Sequence, residues 1–85
     1  MKITSINVRK EEKENSRMRG KASVTIDDCF VIHDIRIIEG NDGLFIAMPS
    51  RQKANGEYID VAHPINQETR KMFQDEVIKA YNEAE

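Results

Sequence analysis

The chain has 85 residues, of which 39% are hydrophobic and 33% charged, and it contains no tryptophan. This length predicts one small domain over residues 1–85, and no apolar run approaches the roughly 20 residues that cross a bilayer. The net charge of −2 excludes a protein that coats nucleic acid by bulk positive charge. One cysteine cannot form an internal disulfide, so we expect a cytoplasmic protein with no membrane partner.

Two segments near the N-terminus predict a β-hairpin. Residues 18–27 alternate between small or apolar side chains at even positions and polar side chains at odd positions, which is typical of a strand with one buried face. Residues 2–9 predict the preceding strand, and the charged segment 10–17 predicts the loop between them. In this hairpin we expect Val8 to lie opposite Met18.

A third strand is predicted over Phe30–Glu39, and the phase of its apolar residues changes part-way along it. In a regular strand Ile32 and Ile35 would point to opposite faces. Either both faces are partly covered, or a β-bulge near His33–Asp34 shifts the phase.

The tetrapeptide Gly40–Gly43 is a strong turn signal, and residues 44–48 after it predict a fourth strand. This turn places Ile37 opposite Ile46 on one face of the hairpin. It places Ile38 opposite Phe45 on the other face, so both faces of the hairpin are apolar. One helix can cover only one face of a sheet, so we expect a homodimer that covers the other. The predicted dimer interface comprises Ile38, Leu44, Phe45, Ile46 and Ala47.

The C-terminal third predicts a loop, a short strand and a helix. Residues 51–56 are polar and predict a loop, and residues 58–62 predict a fifth strand. Asn66 is a favourable N-cap, and residues 67–84 carry an apolar stripe at helical spacing. The predicted fold is therefore α+β, an antiparallel sheet of about five strands with one C-terminal helix.

The side chains that could support catalysis or metal binding do not form a recognisable site. Cys29 and His33 are four residues apart on an extended segment, which separates them by about 13 Å, so a hydrogen-bonded dyad would require a sharp bulge. Adding Asp34 and His63 gives no spacing typical of a closed metal site. We therefore expect no enzyme activity, catalytic residue, metal or cofactor.

Basic side chains are the best functional candidates, because they can contact phosphate without reading base sequence. They fall into three groups: a stripe on the first hairpin, a pair after Pro49 and a pair early in the helix. An ordinary solvated surface is the alternative, since one residue in three is charged. Most of the five aromatic residues are predicted to be buried, which disfavours base stacking. The hairpin stripe consists of Arg9, Arg17, Arg19 and Lys21. The pair after Pro49 is Arg51 and Lys53, and the pair early in the helix is Arg70 and Lys71.

Three segments resemble the SpoVG family of small bacterial septation and sporulation regulators: MKIT at the start, FVIHDIRIIEGNDGLFIAMPSR over residues 30–51, and GEYIDVAHPIN over residues 56–66. The resemblance implies a cytoplasmic, dimeric, non-enzymatic regulator that binds DNA at preferred sites, some members also binding RNA. It implies binding residues just after Met-Pro-Ser, which match Arg51 and Lys53. Ile59 stands where relatives often have a basic residue, which thins the basic patch.

The alternative function is a protein-interaction adaptor that docks a cell-division or signalling protein without contacting nucleic acid. The acidic end of the predicted helix, which carries Asp75, Glu76, Glu83 and Glu85, suits a protein partner better than DNA.

Overall fold

The computed structural model describes residues 1–11 and 16–84, and these residues form a four-stranded sheet, a small two-stranded sheet and a helix. The α+β prediction is confirmed. The elements are β1 (Ile3–Lys10), β2 (Met18–Ile26), β3 (Phe30–Gly40), β4 (Gly43–Ala47), β5 (Ser50–Gln52), β6 (Tyr58–Asp60) and α1 (Gln67–Glu83). Strands β1 to β4 are antiparallel neighbours in chain order, and β5 pairs with β6. Part of the segment predicted as a loop after Pro49 is thus a strand, and residues 12–15 of the predicted first loop lie outside the described residues.

Helix α1 packs on one face of the four-stranded sheet, which we call the inner face. Its N-terminus is capped as predicted, because the Asn66 side chain accepts a hydrogen bond of 2.8 Å from the Thr69 backbone N–H. Phe73 and Val77 are buried against the sheet. The remaining buried core residues are Ala22, Val24, Ile26, Ile35, Ile37, Ile46 and Met48. Within the described residues, no helix has the length and apolar composition needed to span a membrane.

A β-bulge in β3 resolves the change of phase seen in the sequence. Val24 lies opposite Ile32 and Ala22 lies opposite Ile35, so two residues of β3 face one residue of β2. Asp34 takes a φ of 62°, a left-handed conformation that Asp tolerates better than most residues. Of the two alternatives that the sequence left open, the bulge is the one that forms, and it brings Ile32 and Ile35 to the same face.

The predicted register of β1 with β2 is wrong by four residues. Val8 lies opposite Ala22, not Met18, and Arg9 lies opposite Lys21. A shift of four keeps every inner residue on the inner face, so alternation alone cannot choose between the two registers. Gly20 marks the observed register, because a Cβ atom there would lie 2.7 Å from the Arg9 carbonyl oxygen.

The hairpin of β3 and β4 has the predicted register, with Ile37 opposite Ile46 and Ile38 opposite Phe45. A second irregularity in β2, at Arg19, places Met18 opposite Ile38. Met18 was predicted on the buried face of β2, and the extra residue moves it to the opposite face.

Candidate nucleic-acid interface

A row of three cations crosses the face of the four-stranded sheet that α1 leaves uncovered, which we call the outer face. Arg9 of β1 lies opposite Lys21 of β2, and Lys21 lies opposite Arg36 of β3. Directly opposed residues have Cβ atoms about 4.5–5.5 Å apart, and like charges in these positions destabilise a sheet. We call Arg9, Lys21 and Arg36 the basic row. An anionic ligand would offset their mutual repulsion.

Arg36 is held in place by the chain that connects the two sheets. Its Nη2 donates to the Met48 carbonyl oxygen at 3.4 Å and to the Ser50 hydroxyl at 3.2 Å. A guanidinium has five N–H donors, so several stay available for a phosphate. Arg36 is not among the residues predicted from the sequence, because the face of β3 to which it points depends on the bulge. The usable signal was its position between Ile35 and Ile37, which both face the core.

The hairpin of β5 and β6 borders the basic row, and an open cavity of about 390 Å³ lies between the hairpin and two members of the row, Lys21 and Arg36. The Tyr58 side chain lies at this cavity and is 69% exposed. Phe30 and Phe45 are also exposed, at 63% and 40%, so the prediction that most aromatic residues are buried is wrong. One helix covers the inner face only, and no second layer covers the described part of the outer face. The cavity is lined by Lys21, Asp34, Arg36, Pro49, Ser50, Tyr58 and Val61.

Two carboxylates lie near the basic row. Asp34 lines the cavity beside Tyr58, and together with Glu11 it also lines a neighbouring cavity that contains Arg9 and Lys21. Within residues 1–11 and 16–84, neither carboxylate approaches a cation of the row closely enough to form an ion pair. They lower the local positive potential without neutralising a particular side chain.

The structure brings together only two members of the predicted first-hairpin stripe, Arg9 and Lys21. Arg19 lies at the irregularity in β2, and its Nη2 forms an ion pair of 2.6 Å with Glu39. Arg17 is exposed just before β2, where its carbonyl oxygen accepts the Glu39 N–H. The two remaining arginines therefore lie toward the end of the sheet, beyond the basic row.

Arg51 and Lys53 lie on the small hairpin beside the basic row and are exposed. Arg51 is opposite Ile59, whereas its neighbour Ser50 contacts Arg36. Because side chains alternate along a strand, Arg51 is on the hairpin face that points away from Arg36. Lys53 is in the turn, where its backbone pairs with Glu57.

Arg70 and Lys71 belong to α1 and therefore lie on the opposite side of the sheet from the basic row. Arg70 Nη2 donates to the Ile46 carbonyl oxygen at 3.3 Å, and the Ile46 N–H donates to the Gln74 side-chain oxygen at 3.5 Å. These contacts occupy backbone groups on the free edge of β4. Lys71 forms an ion pair of 3.0 Å with Asp75 at the surface.

Comparison with known proteins places the chain in a family. The SpoVG family model matches residues 1–83. The chain belongs to the SpoVG family. A Lachnospira eligens protein is 58% identical over 85 residues, covering 100% of this chain and 96% of its own. A Caldicellulosiruptor bescii protein is 58% identical over 81 residues (95% and 91%), and one from Staphylococcus aureus strain JH9 is 49% identical over 85 residues (100% and 84%). Each is named "Putative septation protein SpoVG".

In this SpoVG-family chain, the residues predicted to form the dimer interface are divided between the two faces of the sheet. The Ile46 side chain is buried in the core and Leu44 packs against it. Ile38, Phe45 and Ala47 are on the outer face, where Ala47 lies opposite Arg36 of the basic row. An interface between two chains would thus use the outer residues of the predicted set.

Proposed function

We propose that this chain is a cytoplasmic nucleic-acid-binding regulator whose contact surface is centred on the basic row. The supporting observation is the cross-strand alignment of Arg9, Lys21 and Arg36, which concentrates positive charge on one face of a chain with a net charge of −2. Phosphate groups would neutralise this charge and release counterions. The role in septation comes from the name that its relatives carry.

A homodimer is part of this proposal. Ile38 and Phe45 form an apolar pair on the outer face, and Ala47 joins that pair to Arg36. A two-fold contact over the apolar pair would place the basic rows of two chains next to each other. The combined surface would contact more phosphates than either chain could alone, with DNA as the main ligand and RNA as the second.

The test compares two double variants that remove the same charge. Lys21→Gln with Arg36→Gln removes two cations of the basic row, and Arg51→Gln with Lys53→Gln removes the pair matched by the family resemblance. Binding to labelled DNA and RNA is measured by fluorescence anisotropy at two salt concentrations. We expect the first variant to lose about tenfold or more in affinity and its duplex salt slope to fall by about 1.8, about 0.9 per phosphate contact.

The control is the double variant Arg51→Gln with Lys53→Gln. It should lose less affinity than the basic-row variant and retain more of the salt slope. Thermal unfolding of both variants shows whether the fold is intact. If the basic-row variant binds as tightly as the unmodified chain, the proposed surface is wrong. A larger loss in the Arg51 and Lys53 variant would move the site to the small hairpin.

A second candidate is an adaptor that docks a protein partner, and the edge of β1 favours it. β1 is at the end of the four-stranded sheet. A groove of about 290 Å³ runs between Ile3–Ile6 of this strand and α1, where two carboxylates and one ammonium group line it: those of Glu76, Glu83 and Lys79. An extended basic peptide could pair with such an edge. Peptide binding that is insensitive to the basic row, with no binding to nucleic acid, would support this candidate.

A further inference from the structure

Tyr58 is an exposed aromatic residue that lines a cavity together with two cations of the basic row. The residue is 69% exposed and lines the same cavity as Lys21 and Arg36. Within the described residues the Tyr58 hydroxyl has no hydrogen-bond partner. The ring therefore contributes little buried area to the core, and its position suits contact with a ligand better than a role in folding.

The backbone of Tyr58 is fixed relative to the basic row by three connections. Tyr58 lies opposite Gln52 in the small sheet. The Val61 N–H donates to the Pro49 carbonyl oxygen at 2.7 Å, which ties the end of β6 to the start of the hairpin. Arg36 bonds Ser50 and so joins the hairpin to the four-stranded sheet. A base that stacks on this ring would meet a largely preformed surface.

From this geometry we infer that Tyr58 stacks on an unpaired base and that the chain prefers single-stranded nucleic acid to duplex. The inference rests on the proposed function and assigns a ligand class to the same site. Lys21 and Arg36 contact the phosphates of the strand while the ring receives the face of a base. The open cavity of about 390 Å³ that these three residues line leaves room for the base.

A duplex cannot use this arrangement fully. Neighbouring base pairs cover the faces of its bases, so it would meet the basic row through phosphates and leave the Tyr58 ring without a stacking partner. Stacking of a base on an aromatic side chain contributes about 1–3 kcal/mol and tolerates any base sequence. The preference should therefore hold for single-stranded DNA and single-stranded RNA alike.

The experiment measures anisotropy of a labelled oligonucleotide of about 12 nucleotides, within the usual range of site sizes, as single-stranded DNA, single-stranded RNA and duplex DNA. Tyr58→Ala should weaken single-stranded binding roughly 5- to 150-fold, which corresponds to about 1–3 kcal/mol. Tyr58→Phe should bind like the unmodified chain, because the ring is kept. Duplex binding should be nearly unchanged in both variants.

Phe30→Ala is the matched control, because Phe30 is 63% exposed but does not line this cavity. It should leave affinity for every ligand unchanged. Equal affinity for single strand and duplex, with no effect of Tyr58→Ala, would overturn the inference while the basic-row variant could still show that the proposed function holds. Binding to none of the three oligonucleotides would overturn both.

Discussion

The ammonium group of Lys10 lies 2.8 Å from the carbonyl oxygen of Ala84, although 74 residues separate the two in the chain. The same Nζ lies 4.7 Å from the centroid of the Tyr81 ring. Helix α1, over Gln67–Glu83, has no basic residue in its last turn. Lys10 of β1 therefore supplies the positive charge that the C-terminal end of a helix favours, and it fastens that end to the sheet.

Replacing Lys10 with Ala should destabilise the fold by about 1 kcal/mol, because one hydrogen bond and one cation–π contact are lost. For a domain of this size that corresponds to a decrease in Tm of about 4–8 °C. Thermal unfolding followed by circular dichroism measures the change. Lys2→Ala is the control, since within the described residues the Lys2 ammonium makes no hydrogen bond. Equal Tm values for the two variants would show that the Lys10 contact adds nothing to stability.

Replacing Asp34 with Asn should strengthen nucleic-acid binding about two- to fivefold. The change removes a negative charge from the cavity shared with Lys21 and Arg36. Asn also tolerates the positive φ of this position, so the bulge should persist. Anisotropy titrations at 0.1 M salt, where the screening length is about 10 Å, measure the difference in affinity.

Asp42→Asn tests whether the Asp34 effect is local. Asp42 is exposed in the turn between β3 and β4. Its replacement by Asn removes one negative charge, the same change in net charge as Asp34→Asn. The turn is about 13 Å along the strand from Arg36, beyond the screening length of about 10 Å at 0.1 M salt. If Asp42→Asn strengthens binding as much as Asp34→Asn, net charge and not the cavity governs affinity.

Replacing both Arg70 and Gln74 with Ala should promote aggregation. The two side chains contact the outward N–H and C=O of Ile46 on the edge strand β4. Without them that edge can pair with another chain. Light scattering during storage at high concentration measures the effect. Lys71→Ala is the control, because its side chain is 79% exposed and ion-paired within the helix. An equally soluble double variant would mean that these contacts do not protect the edge.

Replacing Phe45 with Glu should convert the proposed dimer to a monomer. Phe45 is 40% exposed on the outer face opposite Ile38, and a charge there would have to be desolvated in an apolar contact. Sedimentation velocity at micromolar concentration measures the mass. Ile65→Glu is the control, because Ile65 is 89% exposed outside this surface. An unmodified chain that sediments as a monomer would refute the dimer directly.

Local chemistry made several features predictable from sequence. Asn66 has a side chain that can accept the N–H of Thr69, so the helix start follows from residue type. The Gly40–Gly43 turn fixes which residues face each other across β3 and β4. The conflict between the phases of Ile32 and Ile35 limited the possibilities at His33–Asp34 to a bulge or a strand with both faces partly covered, and the structure has the bulge.

Other features depend on non-local pairing and could not be derived in this way. Two registers of β1 on β2 satisfy the same alternation of inner and outer residues. The alignment of Arg9 with Lys21 and Arg36 could therefore not be predicted from the sequence. Strand β5 has three residues and no apolar pattern, and its pairing with β6 gives it order. The exposure of Tyr58 follows from how little of the molecule one helix can cover.

The extra residue in β3 makes position 34 unusually tolerant of a deletion. Removing Asp34 would leave Ile32 and Ile35 two positions apart, so regular pairing would keep both on the inner face and Arg36 on the outer face. Removing Arg36 would instead make Ile35 and Ile37 neighbours in a regular strand and turn one of these core isoleucines out to water. A one-codon deletion at position 34 should therefore preserve the fold, whereas the same deletion two codons later should abolish it.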